Sequence, residues 1–169
     1  MNWVFNVLPL SHPALGEFYC KISGKNTGIA LNADVTRNLE WLLEVIPKAV
    51  SVHFTDTMHW DDREADYILW TDISICLGLA FIYADHGFTY AISPAIVKEK
   101  IDIFFLELVA ILLAIHHVAL FQQPPKKLLL WTDSLDSVTA YNSLHASESI
   151  HNSVLLALGK ILLETRIGL

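Results

Sequence analysis

Basic residues are scarce in this chain, where 11 Lys and Arg stand against 18 Asp and Glu for a formal net charge of −7. That balance excludes a protein that holds nucleic acid mainly through a basic surface, so any such contact has to be local or assisted by a metal ion. Cysteine is nearly absent. Cys20 and Cys76 lie far apart and lack CxxC spacing, which argues against a disulfide framework or a zinc knuckle. Buried structural thiols in a reducing, intracellular compartment are expected, with nothing to separate cytoplasm from nucleus. Met1 to Leu10 has no basic n-region and is interrupted by Asn2 and Asn6, which argues against a secretory signal.

Apolar residues, by contrast, make up 53% of the 169. That is ample for one domain with a buried core plus a shorter attached segment, and it excludes a disordered chain. The longest apolar run, Ile101 to Phe121, matches the roughly 20 residues of a membrane span. Asp102, Glu107, His116 and His117 interrupt it, however, and each central acid costs about 2.5 to 3.5 kcal/mol on insertion. The run reads instead as a helix buried in a core, apolar on nearly every side, with no membrane partner.

Two regions follow from the patterning. Residues 1–64 form an adaptor-like connection, with turn signals at Gly24, Asn26 and Gly28. A helix there is capped by Asn32 or Asp34, runs through Val35, Leu39, Leu42, Leu43 and Ile46, and is stopped by Pro47. His59, Asp61, Asp62 and Glu64 read as a solvated link in preference to a metal loop. In residues 65–169 the apolar runs Tyr67 to Trp70, Leu77 to Tyr83 and Phe88 to Ile92, separated by Asp85-His86-Gly87 and closed by Pro94, predict a three-stranded antiparallel meander. A linker with Lys98, Glu99 and Lys100 precedes the long helix, which Pro124-Pro125 stops. Lys127 to Trp131 is a wholly apolar strand of the kind expected where both faces of a sheet are covered. Ser134 caps a helix through Val138 and Tyr141. A last helix, about Ile150 to Thr165, turns Val154, Leu155, Leu158, Ile161 and Leu162 inward, and a new strand is expected to begin near Gly168. The fold class is α/β, and a right-handed crossover lays the strand ending at Asp133 parallel to and beside the one ending at Asp72.

Asp72 and Asp133 then stand at the carboxyl ends of neighbouring parallel strands, where open α/β sheets bind ligands. Glu107 lies one turn into the crossover helix, and an acid in so apolar a helix needs a partner or a cation. Oxygen donors without a cysteine or histidine pair suit Mg²⁺ or Mn²⁺. Two such ions about 3.5 to 4 Å apart activate water and stabilise a leaving oxygen in phosphodiester hydrolysis. Either aspartate alone reads as an N-cap or turn residue, and Glu107 alone as a partner of a lysine such as Lys100. The repeated Trp-Thr-Asp strand ends around one acid-bearing helix favour a shared metal site. His116 and His117 read as helix C-terminal caps, His145 and His151 as surface residues at a helix junction, and Trp70 and Trp131 as core.

The run Ala65 to Ser74 with Gly78, the segment Phe105-Leu106-Glu107-Leu108-Val109-Ala110-Ile111 and Leu130-Trp131-Thr132-Asp133-Ser134 resemble the first hairpin, the helix-borne glutamate motif and the second aspartate motif of the ribonuclease H domain of retroelement reverse transcriptases. Asn2-Trp3, Pro9-Leu10, Pro13-Ala14-Leu15, Tyr19 and Asn38 to Leu42 resemble the connection region preceding that domain in retrotransposon polyproteins, most like those abundant in fungi. The resemblance implies a ribonuclease H-like mixed sheet with Asp72, Glu107 and Asp133 as catalytic metal ligands for Mg²⁺ or Mn²⁺. It also implies an RNA–DNA hybrid as substrate, and polymerase domains or a second copy, through the open sheet edge, as partners. A non-catalytic scaffold derived from such an element is the alternative. Ile73 replaces the family's usual small residue. The family's fourth acid lies beyond a fifth strand, past Leu169, so weak or absent turnover is expected of this chain alone.

Overall fold

A computed structural model describes residues 9–22, 30–49, 60–75, 78–93 and 101–169. Residues 1 to 8 of the amino-terminal segment, the turn signals at Gly24, Asn26 and Gly28, His59, Cys76, Leu77, Pro94, the Lys98 to Lys100 linker and the Cys20 side chain lie outside the described residues.

The β-patterned region forms β1 (Tyr67–Ser74), β2 (Gly78–Tyr83) and β3 (His86–Tyr90) as an antiparallel meander. β4 (Leu128–Trp131) lies parallel to β1, giving a four-stranded mixed sheet of order β3-β2-β1-β4. Asp66 fastens the start of that parallel pair. Its carboxylate accepts the backbone N–H groups of Lys126 at 2.7 Å and Lys127 at 3.0 Å, while its own N–H donates to the Lys127 carbonyl at 2.9 Å. On the other edge of β4, Gly168 makes a parallel bridge with Lys127, donating to the Lys126 carbonyl and accepting from Leu128 N–H. This is where a new strand was expected to start.

Helix α1 (His12–Ile22) and α2 (Ala33–Ala49) precede the sheet, α3 (Ile103–Ala119) is the crossover, and α4 (Leu135–Ser143) and α5 (Ser149–Thr165) follow β4. Strand alternation gives the sheet one apolar inner face. Leu69, Phe81 and Leu128 meet Ile111, Ala114, Ile115 and Val118 of α3, backed by Leu158 and Leu162 of α5 and by Ile167. Each such side chain contributes about 1.5 to 3 kcal/mol on full burial, so this layer holds most of the fold's stability. α1 and α2 pack on α5 through Ala14, Leu15 and Leu42 against Leu156, and Val45 against Leu163. Lys48 to Glu164 at 3.0 Å and Lys160 to Glu44 at 2.7 Å bridge α2 and α5 at their exposed rim.

The structure corrects several expectations. Pro47 does not stop α2, which runs to Ala49; in the last turn a missing N–H removes a single bond. The crossover helix ends at Ala119, ahead of the prolines, where Leu120 N–H closes onto the carbonyls of His117 and Val118. No helix among the described residues is long and apolar enough to cross a membrane. Among the described residues the sheet is covered on one face only, and the two tryptophans are not core. Trp70 and Trp131 are paired in register on the outer face and remain 48% and 49% exposed, beside exposed Ile68 and Ile82. The register explains this: Leu69 and Leu130 occupy the face that meets α3, which turns their neighbours Trp70 and Trp131 away.

Two outcomes are expected. Gly78 has φ +127°, and a Cβ there would meet the Tyr90 carbonyl oxygen at 2.2 Å. Gly78→Ala should therefore lower the denaturant midpoint by the equivalent of about 1 to 3 kcal/mol from backbone strain alone, and more from the clash. The N–H groups of Lys127 and Lys126 hold the Asp66 carboxyl below its ordinary value of 3.8. A depressed carboxyl stabilises the fold above its unfolded value and loses that contribution as pH falls through the folded one. Asp66→Asn should thus cost about 1 kcal/mol or less at about pH 7, after solvent screening, with the gap to wild type closing below about pH 4 in urea titrations.

Candidate metal centre

The parallel pairing of β1 with β4 ends at Trp70 and Trp131. Asp72 and Asp133 each follow two residues later, so the register carries both aspartates to the same end of the sheet at the same offset. β1 continues to Ser74, still paired with β2, whereas β4 stops at Trp131. The two strands therefore part at this point, and the buried Thr71 hydroxyl spans the opening by donating to the Trp131 carbonyl at 3.4 Å. A crevice at the carboxyl ends of diverging parallel strands is where α/β sheets take ligands.

Glu107 reaches this end from α3. Its half-buried carboxylate accepts the hydroxyl proton of Ser134, the residue after Asp133, and lies 3.5 Å from the Ser137 hydroxyl. Ser134 is in turn the N-cap of α4, accepting Ser137 N–H at 3.2 Å. One hydroxyl thus terminates a helix and satisfies the acid. Below it, Tyr141 donates to the Leu108 carbonyl at 2.9 Å, and burial pushes its hydroxyl far above the ordinary range, so it remains a neutral structural donor.

Glu107 and the Asp133–Ser134 corner are brought together, and Asp72 lies at the same end of the sheet. The three carboxylates nevertheless do not converge to ligand spacing. Alternation puts Asp72 on the outer face with Ile68 and Trp70, where its Oδ1 accepts Ile73 N–H at 2.7 Å, while Glu107 approaches from the inner face. As a donor set, three carboxylates fit a hard divalent cation such as Mg²⁺.

Among the described residues, the group whose ligand atoms lie within 4.8 Å of one another is a different one: Asp102, Glu148 and His151. Asp102 caps α3, accepting Phe105 N–H at 2.8 Å, and its Oδ1 lies 3.1 Å from His151 Nε2. Burial raises the Asp102 carboxyl, but the Phe105 N–H and His151 outweigh it and leave the carboxyl below its ordinary value. His151 is not a surface residue as expected. It is 3% exposed, its ring 4.7 Å from that of Phe104. The sequence carried the signal, since His151 shares a helical stripe with Val154, Leu155 and Leu158, all of them buried. Of the other histidines, His116 and His145 are exposed. His117 packs among rings, 4.3 Å from Phe88 and 5.2 Å from Phe81, in addition to lying in the last turn of α3.

Set against protein-family models, curated proteins and solved structures, the chain matches none.

Ser134→Ala removes the α4 cap and the partner of a half-buried carboxylate together. It should cost about 1 to 2 kcal/mol in urea unfolding. In a double-mutant cycle with Glu107→Gln the coupling should exceed about 0.5 kcal/mol, and strict additivity would show that the two side chains do not interact.

Proposed function

We propose that the chain is a ribonuclease H-like module of a retroelement reverse transcriptase, with residues 1–64 as its connection segment and 65–169 as the nuclease domain, acting in metal-dependent hydrolysis of RNA in RNA–DNA hybrids. One observation carries the reading: Asp72 and Asp133 sit at equal offset beyond the last paired residues of neighbouring parallel strands, with Glu107 tied to the adjacent Ser134. The motif order, the meander, the crossover helix and the bridge at Gly168 support it further.

Asp72, Glu107 and Asp133 are the residues that would hold Mg²⁺ or Mn²⁺, one ion or two, after side-chain movement that brings the three carboxylates together. When bound, such ions polarise the phosphodiester and lower the cost of its developing charge. The chain's own contribution is positional. The β1–β4 register brings the two aspartates to one end of the sheet, and the hydroxyls of Ser134 and Ser137 hold Glu107 at the rim of the crevice. Hybrid recognition would rest on duplex shape and 2′-hydroxyls, because an A-like major groove offers little sequence readout. That mode suits a chain with so few basic residues.

A second reading, a non-catalytic interaction domain derived from such an element, draws on the exposed apolar outer face around Ile68, Trp70, Ile82 and Trp131.

A labelled RNA–DNA hybrid separates the two. Weak Mg²⁺-dependent cleavage of the RNA strand is expected, stronger when the chain is extended by an acid-bearing downstream strand and helix. It should fall on the order of 100-fold or more in Asp72→Asn, Glu107→Gln or Asp133→Asn variants that remain folded. If neither form cleaves at any metal concentration, the interaction reading stands and the nuclease reading is lost.

A further inference from the structure

We propose a transition-metal site, of zinc-type chemistry, between the amino termini of α3 and α5, with Asp102, Glu148 and His151 as its ligands. It is separate from the carboxylates at the strand ends. Asp102 is the extended N-cap residue ahead of α3, whereas Glu107 lies within the helix and is turned to Ser134 of α4.

Three observations support the site. First, the ligand atoms of the three residues all lie within 4.8 Å of one another. A tetrahedral ion with bonds of about 2.0 to 2.2 Å holds its ligands roughly 3.3 to 3.6 Å apart. Asp102 Oδ1 and His151 Nε2, at 3.1 Å, already stand near that separation, and a Glu148 carboxylate oxygen lies within 4.8 Å of both. Second, Glu148 at the N-cap of α5 makes no side-chain capping hydrogen bond, and its carboxylate lies near the imidazole of His151.

Third, the His151 side chain is 4% exposed and directs Nε2 at Asp102, so a buried imidazole presents one ring nitrogen to the two carboxylates. The ring is also fixed from behind. Phe104 packs edge-on against it, and Asn152, the next residue, clamps the preceding loop through paired bonds with Ala146 at 2.9 and 2.8 Å. One imidazole nitrogen with two carboxylate oxygens is a borderline donor set that favours zinc and its neighbours over Mg²⁺. Because both acids are exposed, a fourth position stays open to water or an incoming donor.

The test is calorimetric titration of the whole chain with Zn²⁺ alone. One equivalent should bind with a Kd of about 10 µM or tighter. Glu148→Gln, a surface change unlike any alteration of the buried His151, should weaken binding by at least about tenfold, as should Asp102→Asn. Asp72→Asn should leave it unchanged, which separates this site from the strand-end carboxylates and from the nuclease reading. Co²⁺ in place of Zn²⁺ should give visible absorption that Glu148→Gln diminishes. No zinc binding up to about 100 µM would overturn the proposal, as would binding that Glu148→Gln leaves intact or that Asp72→Asn abolishes. In any of these cases the Asp102–His151 contact is a hydrogen bond and nothing more.

Discussion

The pairing of β1 with β4 is the contact on which the rest of the molecule depends. Strands so far apart in the chain can lie parallel and adjacent only if the segment between them crosses back over the sheet, and α3 makes that crossing as a buried helix. Once the register Trp70 to Trp131 is set, much else is determined. Leu69 and Leu130 face the helix, the tryptophans face away, and the two aspartates fall at one end. A slip of one residue would turn every side chain of β4 to the wrong face. Asp66 guards against such a slip at the strand entry, since its carboxylate accepts two consecutive N–H groups of the incoming chain.

The same register separates what could be read from the residues from what could not. The meander, the crossover, the parallel neighbour, the Asn32 and Ser134 caps and the last helix follow from patterning because each is a local signal: period, turn residue, cap. The tryptophans misled because an apolar run such as Leu128 to Trp131 has the same composition whether one face of its sheet is covered or both. Only the placement of the helices decides, and that is a tertiary fact. Pro47 misled for a smaller reason, since a proline in the last turn of a helix costs little.

Of the strand-end residues, the equal offset of Asp72 and Asp133 was readable from the repeated triplet. The hydroxyl that engages Glu107 was not, because Ser134 presents itself first as an N-cap and its second role appears only when α4 is set against α3. His151 shows the reverse. Its position on the buried stripe of α5 was visible in the spacing, but reading it as a polar residue near a junction placed it on the surface. The pairing with Asp102, 49 residues earlier, depends on two helix amino termini meeting, which no local pattern encodes.

The span closed by Asp66 and Lys126 is 60 residues, whereas the turns of the meander are a few residues long. Closing a long loop carries an entropy cost that only later contacts recover, so topology of this kind orders events in time. The meander can assemble as a local unit, and the β1–β4 seam closes after α3 has docked. A chain caught between those steps keeps Asp72 in a finished strand while Asp133 has no fixed place beside it. Kinetically, then, the crevice between the two aspartates is among the last features the chain acquires.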